Sequence, residues 1–336
     1  MHSTGPNTVL ISRKKYMTHI AVDIGQEHFD VCFEVGDKRK AGTFGNTGPG
    51  RNDLHKLLRK NNVEDVHIFM EATGRYGEKL ATWAFKLGWK VTVINPRNVR
   101  KFAESEGRYN KTDRIDAECI LNFSNSTHAR KLRLWVPRSV CETELKEIHM
   151  EILGLEKMIT QERNRSKSCI ATALVKLLIK QNLEYLKEQK MLLEKRALQV
   201  IKGDTKLCHD YKVLKQIKGI GDKTAIKILA RVNFENFKKA RQLVGFAGLA
   251  PKKWESGKSR KKEIISRVGH ADLRSALYFP AITSMTHDTE MAEYKKHLET
   301  QGKQKKVIIC AIMAKLLRKA FAMIRDSRTS QLNLAA

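Results

Sequence analysis

Long apolar runs, paired cysteines and acidic residues are all scarce in this 336-residue sequence. No apolar stretch reaches the roughly 18 residues that a membrane span needs, because the best candidate, Val307 to Ile324, is interrupted by lysine and arginine. The apolar core near the N-terminus, Val9 to Ile11, is too short for a signal peptide. The six cysteines form no CxxC pair, which argues against a zinc ribbon or a disulfide framework. We therefore expect a folded cytosolic protein with no membrane partner.

The shortage of acidic residues leaves a large positive charge. Aspartate and glutamate number 36 against 64 lysines and arginines, a formal net charge of +28. Such a surface attracts polyanions, and phosphate backbones are the commonest polyanions in a cytosol. Charge alone does not separate a nuclease from a ribosomal-type binder or a protein of anionic membranes, so the motifs must identify the chemistry.

The N-terminal third has the pattern of an α/β domain. Residues 1–17 are predicted to be a disordered tail, and residues 18–136 a sheet with flanking helices. Three meandering strands, two of them joined by a tight hairpin at Gly36 and Asp37, precede strands that alternate with helices. The predicted strands are His19–Gly25, His28–Val35, Arg39–Phe44, Val66–Glu71 and Lys90–Ile94, and the predicted helices are Asn52–Lys60 and Gly77–Leu87.

The rest of the chain has helical patterns. Residues 137–206 carry apolar side chains at spacings of three and four, which favours a long helical hairpin or coiled-coil connector, with an ordinary helical bundle as the alternative. Residues 207–325 are predicted to form a second compact, mainly α domain, and residues 326–336 a tail.

Four acidic residues form the first candidate site. Asp23 and Glu71 stand near the ends of predicted buried strands, where a charge is costly unless a cation or donor compensates. Asp113 and Asp116 have the i, i+3 spacing that puts both on one face of a helix. If that helix packs against the sheet, the carboxylates converge on a Mg²⁺ or Mn²⁺ site, and two such ions would clamp the oxygens of a phosphodiester. Taken singly, each acid of this kind is more often structural than catalytic, as Asp113 would be at a helix start.

A second candidate site lies at Lys218-Gly219-Ile220-Gly221-Asp222-Lys223-Thr224. A helix ending in a Gly-Ile-Gly turn and followed by another helix is the pattern of a helix-hairpin-helix, whose backbone N–H groups hold DNA phosphates without reading bases. The alternative is a tight turn between helices that serves packing only.

A third candidate site is a basic stretch rich in small hydroxyls. From Lys252 to Arg274 there are eight basic and three acidic residues, and Ser256 and Ser259 lie among them. Residue chemistry allows two roles for a serine here. The favoured role is a phosphate anchor, and the alternative is a nucleophile whose alkoxide the nearby cations stabilise.

These segments together resemble a known family. The segments are HIAVDIG with Asp23, MEATGRYG with Glu71, KTDRIDAE with its two aspartates, GLAPKKWESGKS and the following SRVGHADLR. In order and spacing they are similar to those of the DEDD insertion-sequence transposases, relatives of the pilin-gene invertases. The resemblance covers about residues 18–325.

The resemblance implies a RuvC-like, RNase H-type domain with the tetrad Asp23, Glu71, Asp113 and Asp116, which binds Mg²⁺. It also implies that a C-terminal serine forms a covalent phosphoserine with DNA. The family's Ser-Gly dipeptide corresponds to Ser256, with Ser259 as the reserve. Family members form dimers or tetramers in the bacterial cytoplasm at the nucleoid, and several use a noncoding bridge RNA to pair with double-stranded target and donor DNA.

The sequence thus predicts a Mg²⁺-dependent DNA transposase or recombinase of an insertion sequence. One alternative is a RuvC-like structure-specific endonuclease without a covalent intermediate, and another is a non-catalytic nucleic-acid-binding scaffold. The residues predicted to bind nucleic acid are Lys111, Lys218, Gly219, Gly221, Lys223, Thr224, Lys252, Lys253, Lys258, Arg260, Lys261, Lys262, Arg267 and Arg274.

Overall fold

The computed structural model divides into two compact units, residues 1–137 and 138–336. It describes residues 17–72, 74, 76–107, 113–126, 129, 132–168, 172–254 and 262–335, with only the backbone at 113–115, 168, 253–254, 262–263 and 331–335. The predicted connector, 137–206, and the predicted transposase domain, 207–325, both belong to the second unit.

The first unit is built on a five-stranded mixed sheet with the strand order β3-β2-β1-β4-β5. Its strands are β1 Thr18–Ile24, β2 His28–Val35, β3 Lys38–Gly45, β4 Val66–Glu71 and β5 Lys90–Ile94. The first three run antiparallel as a meander, while β4 lies parallel to β1 and β5 parallel to β4. The predicted mixed sheet is therefore confirmed.

Helices cover both faces of this sheet. They are α1 Gly48–Lys60, α2 Tyr76–Lys86, α3 Pro96–Ser105 and α4 Asp113–Ser124. Alternate strand residues such as Ile20 and Val22 share one buried cluster with Leu54 of α1, whereas Ala21 and Phe69 share another with Ile120 of α4. This division follows from the two-residue side-chain period of a strand, and it defines an α4-facing side of the sheet.

Local sequence signals fix the start of α3. The side chain of Asn95 accepts a hydrogen bond from the backbone N–H of Arg97 at 3.0 Å, and Pro96 occupies the first helical turn, where it needs no backbone donor. The predicted end of the preceding strand at Asn95-Pro96 coincides with this cap.

The second unit is mostly helical. Its helices are α5 Val140–Ser168, α6 Ala173–Gly203, α7 Thr205–Lys215, α8 Asp222–Arg231, α9 Ala240–Phe246, α10 Ala271–His287, α11 Thr289–Thr300 and α12 Lys305–Ala335, with a short hairpin of β6 Pro251–Trp254 and β7 Lys262–Ile265. Ion pairs between Glu144 and Arg196 and between Glu156 and Lys190 show that α5 and α6 pack antiparallel.

One boundary of the sequence prediction was wrong. Residues 326–336 are predicted to be a tail, whereas α12 stays helical to Ala335. An ion pair between distant residues holds the first part of this segment, because Arg328 donates to the buried Asp210 of α7 at 2.7 Å. Among the described residues, no helix is long and apolar enough to cross a membrane.

Candidate active site

Asp23 and Glu71 lie side by side on the α4-facing side of the sheet. Because Val22 pairs with Met70 in the parallel register of β1 and β4, the next residues, Asp23 and Glu71, are level with each other. Neighbouring strands are about 4.8 Å apart, so the two carboxylates share one small region of the sheet. Both side chains are partly buried.

A third acid, Asp30, extends this row and was missed by the sequence reasoning. In the antiparallel pair of β1 and β2, Asp30 stands directly opposite Asp23, and directly opposite residues point to the same face. The hydroxyl of Thr43 on β3 donates to Asp30 on the side away from Asp23. The signal that predicts this arrangement is the hairpin register, which places residues 23 and 30 on opposite arms.

Helix α4 runs across this row with its N-terminal end near the acids. Its other end is fixed at the start of β1, because His19 Nδ1 lies 3.1 Å from Ser124 Oγ and 3.0 Å from Asn125 Oδ1. From Ser124 back to Asp116 the helix spans about 12 Å at about 1.5 Å per residue. From His19 to Asp23 the strand spans about 13 Å at about 3.3 Å per residue. Ala117 and Glu118, which directly follow Asp116, line one cleft with Asp30, so Asp116 lies near the row.

Asp113 begins α4, one turn before Asp116, but its side chain is outside the described residues, as is all of Lys111. Among the side chains that are described, no group of three or more His, Cys, Asp or Glu is close enough to hold a metal ion. The row nevertheless supplies carboxylate oxygens, the donors that Mg²⁺ prefers. The positive end of the α4 dipole, near the row, also favours negative charge there.

A cleft opens beside the row, between the outer strands and α4. It has a volume of about 360 Å³ and is lined in part by Asp30, Thr43, Ala117 and Glu118. Arg39 of β3 lies 3.9 Å from Glu118 and 2.8 Å from Glu34. The hydrogen bond from Arg39 to Glu34 raises the pKa of the guanidinium, which stays charged. Glu118, which lines the cleft, therefore has a fixed cation nearby.

In the second unit, a tight turn joins α7 to α8. Asp222 at the start of α8 accepts hydrogen bonds from Tyr211 at 2.8 Å and Lys215 at 2.5 Å. The bond from Lys215 is the main reason that the pKa of Asp222 is lowered. Lys218 and Lys223 are exposed, and Lys223 also lies 3.1 Å from Glu194. Gly219 and Gly221 form the turn and Thr224 is half-buried in the first turn of α8.

The third predicted site lies on the β6–β7 hairpin, and most of it is outside the described residues. Residues 255–261, which include Ser256, Lys258, Ser259, Arg260 and Lys261, are not described. Lys253 belongs to β6 and Lys262 to β7, but only their backbone is described. Lys252 and Arg267 are exposed.

The base of this hairpin is tightly closed. The N–H of Ser266 donates to Ala250 O at 2.8 Å, and the N–H of Arg267 donates to Gly248 O at 3.0 Å. Gly269 has a φ of +147°, and a Cβ atom there would lie 2.3 Å from Phe246 O, so the close approach requires glycine. The two candidate serines therefore lie in a loop whose two ends are joined to this fixed backbone frame.

Arg274, another predicted phosphate ligand, instead contributes to this frame. Its Nη1 donates to Ala247 O at 2.9 Å, and its side chain is half-buried. The guanidinium has five donors, so this bond leaves others for a phosphate.

Asp272, next to the hairpin, is the centre of a buried polar network. It accepts hydrogen bonds from His149 Nε2 at 3.1 Å and from Arg231, and the His149 side chain is 1% exposed. Burial by itself would raise the pKa of Asp272, but the hydrogen bonds from His149 and Arg231 outweigh it and hold the pKa well below its usual range. An ionised Asp272 only accepts, so His149 carries its proton on Nε2.

Two family models match different parts of the chain. Residues 20–174 match a model described as a transposase, of the DEDD type known from IS110, and residues 211–296 match the transposase IS116/IS110/IS902 family. Both models describe transposases, which are enzymes of DNA recombination.

The chain is 33% identical over 316 residues to the pilin gene-inverting protein of Moraxella bovis, covering 93% of this chain and 97% of that protein. It has the same identity and coverage with the pilin gene-inverting protein of Moraxella lacunata. An insertion element IS110 protein of Streptomyces coelicolor is 30% identical over 115 residues, which cover 34% of this chain and 28% of that protein. The chain belongs to the IS116/IS110/IS902 family of transposases, which confirms the predicted resemblance.

Proposed function

We propose that this transposase cuts and rejoins DNA with a Mg²⁺-dependent site formed by Asp23, Glu71, Asp113 and Asp116. The observation that carries the proposal is the side-by-side placement of Asp23 and Glu71 on parallel strands, with Asp116 near them on α4. The strand order β3-β2-β1-β4-β5 supports an RNase H-like interpretation of the sheet.

The donor set suits a hard divalent cation. The four residues offer only carboxylate oxygens, and Mg²⁺ or Mn²⁺ prefers such ligands. When bound, the metal would stabilise negative charge that develops on phosphate oxygens. The contribution of the chain is to fix Asp23 and Glu71 on rigid strands, so that little reorganisation is needed when the substrate arrives.

The nucleophile in this proposal is Ser256, with Ser259 in reserve. The Oγ of Ser256 forms a bond to phosphorus while the bond from phosphorus to one sugar oxygen breaks. The sugar hydroxyl that is freed can later attack a phosphoserine and rejoin the DNA strand. The closed base of the β6–β7 hairpin supports the proposal because it gives the serine loop a rigid origin. The exposed Lys252 and Arg267 add positive charge for flanking phosphates.

Strand cleavage of a duplex that contains the element's own end tests the metal site. Asp23→Ala and Asp113→Ala should each abolish Mg²⁺-dependent cleavage while gel-shift binding persists. Asp53→Ala is the matched control, because Asp53 is an exposed acid on α1 that pairs only with Lys56 among its described contacts. Full cleavage by both site variants would overturn the assignment.

A covalent protein–DNA adduct on a denaturing gel tests the serine. Ser256→Ala should eliminate the adduct, whereas Ser259→Ala should retain it; the reverse result would move the nucleophile to Ser259. The wild type and both variants could also cleave the DNA without forming any adduct. In that case a structure-specific endonuclease that hydrolyses DNA replaces the transesterification mechanism.

We also infer a guide RNA and a homo-oligomer, dimer or tetramer, from the resemblance. A transcript of the noncoding end of the element should bind the purified protein and restrict cleavage to sites that it can pair with. Cleavage of the same sites at the same rate without RNA would contradict guidance. The exposed lysines of the α7–α8 turn, Lys218 and Lys223, are available for either nucleic acid.

A further inference from the structure

Helix α10 exposes an unusual apolar patch to solvent. Phe279 is 73% exposed, Tyr278 is 42% exposed and Ile282 is 36% exposed. The Tyr278 and Phe279 rings meet edge to face with centroids 5.5 Å apart. Exposed aromatic side chains that contact each other form a contiguous apolar patch, which indicates a binding surface more than a single exposed residue does.

The patch adjoins the turn between α7 and α8. Gly219 of that turn has a φ of +91°, and a Cβ atom there would lie 2.6 Å from Pro280 O. Pro280 directly follows Phe279, so the turn packs against the backbone of α10 one residue after the aromatic pair. Glycine is required at this position both for the backbone conformation and for the close approach.

The rim of the patch is basic. Lys218 precedes Gly219 and is exposed, and Arg274 lies one helical turn before Tyr278. The acid of the turn, Asp222, is engaged by Lys215 and Tyr211, which reduces its repulsion of a phosphate. Aromatic rings beside lysine and arginine are the combination with which proteins stack unpaired bases and hold the adjoining backbone.

The size and charge of the patch argue against a second copy of this chain as the occupant. Three apolar side chains form a much smaller surface than the roughly 800 Å² per partner of a stable protein interface. A second copy would also bring the same basic rim against this one.

We propose that Phe279 and Tyr278 stack on an unpaired base of the DNA whose backbone the α7–α8 turn holds. This inference rests on the proposed nucleic-acid contact of that turn. Strand exchange requires bases to leave one duplex before they pair in another, and an aromatic platform would stabilise them while they are unpaired.

Binding of two fluorescent 30-base-pair DNAs, one fully paired and one with a four-nucleotide internal loop, tests the proposal in EDTA at fixed salt. Phe279→Ala should weaken binding of the looped DNA by about five- to a hundredfold and of the paired DNA by less than about twofold. Phe279→Trp should retain the preference for the loop, and Phe279→Leu should lose it, because leucine keeps apolar volume but cannot stack. Equal effects on both DNAs, no effect on either, or full rescue by leucine would overturn the stacking role.

Three controls test whether the effect belongs to this patch, to the turn and to DNA. Tyr185→Ala removes a comparably exposed aromatic side chain from α6 and should not change either affinity. The double variant Lys218→Ala and Lys223→Ala should weaken both DNAs; if it changes neither while Phe279→Ala acts as expected, the turn contact fails but the stacking surface stands. A Phe279→Ala effect seen only on an RNA with the same loop, or a change in oligomeric mass, would overturn the assignment to DNA.

Discussion

The acids at the centre of the N-terminal sheet and the buried acids of the C-terminal unit have different kinds of neighbours. On the N-terminal sheet, Asp30 stands opposite Asp23 and Glu71 is next to it, while the cation Arg39 pairs with Glu34 at the outer strands. In the C-terminal unit, the partly or fully buried acids meet cations. These pairs are Asp272 with Arg231, Asp210 with Arg328, Glu156 with Lys190 and Lys227, and Asp288 with Lys319.

This difference separates two uses of an acid in a strongly basic protein. A carboxylate that meets a cation from a distant part of the chain holds helices together, and removing it leaves a buried charge unpaired. Carboxylates gathered on one side of a sheet repel one another, and a bound cation reduces that repulsion. The first kind should be needed for folding and the second for activity.

The largest expected effect is on catalysis. Asp23→Asn should lower Mg²⁺-dependent strand cleavage on the order of a thousandfold or more, because loss of one carboxylate removes several kcal/mol of charge stabilisation. Its thermal midpoint without metal should equal or exceed that of the wild type. A stable variant with normal cleavage, or an unfolded variant, would erase the contrast between the two units.

Asp272→Ala should have the converse effect. It should lower the free energy of unfolding by about 3 kcal/mol, since it leaves the Arg231 charge and the buried His149 without their shared partner. Urea unfolding and hydrogen exchange of the α10 amides measure this loss. Asp326→Ala is the control, because its exposed pair with Arg325 should contribute less than about 0.5 kcal/mol.

Mg²⁺ should stabilise the N-terminal unit only when the row of acids is intact. At ten times its dissociation constant the ion should add about 1.4 kcal/mol to the wild type. Hydrogen exchange of β1 and β4 in Mg²⁺ and in EDTA measures the gain, which Asp23→Asn should lose. Equal protection of both proteins would place the ion elsewhere.

Lowering the pH should destabilise the C-terminal unit. Burial would raise the pKa values of Asp272, Glu156 and Asp288, but hydrogen bonds from their cationic partners outweigh it and the values are lowered. A lowered carboxylate pKa adds stability above the unfolded value of about 4, and this stability is lost as the pH falls towards the folded value. Urea midpoints from pH 7 to pH 3 should therefore fall, and less steeply for Asp272→Asn than for the wild type.

The smallest expected effect is at Asp30. Asp30→Asn keeps an oxygen that can accept from Thr43 and removes one of two facing charges, so it should raise metal-free stability by up to about 1 kcal/mol. Asp37→Asn is the control. It also removes one negative charge, but Asp37 lies in the β2–β3 turn, where no described acid faces it. A loss of stability at Asp30 would show that the hydrogen bond outweighs the repulsion.

The sequence predicted the parts of this molecule that depend on nearby residues. Short apolar runs locate the strands, the Gly36-Asp37 turn locates the β2–β3 hairpin, and Asn95-Pro96 marks the end of β5. Asp23 and Glu71 were found because a charge at the end of an apolar strand is locally conspicuous. Their level placement requires the parallel register, which only the folded sheet supplies.

Contacts between distant residues were not predictable in the same way. Asp272 meets His149 across 123 positions, and Arg328 meets Asp210 across 118. No local period or spacing connects such pairs. The helical end of α12 is predicted to be a tail because Asp210, the partner of Arg328, lies on α7, far away in the sequence.

The register of β4 against β1 has a consequence for insertions and deletions. Ile68 and Met70 point into one buried cluster, while Phe69 points into the other, on the side where Glu71 lies. Deleting a single residue within β4 would exchange the two sides and turn Glu71 towards the apolar cluster. Deleting two residues would return Glu71 to the α4-facing side of the sheet, but Glu71 would no longer be level with Asp23. The length of this one strand is therefore under tighter constraint than the identity of most residues in it.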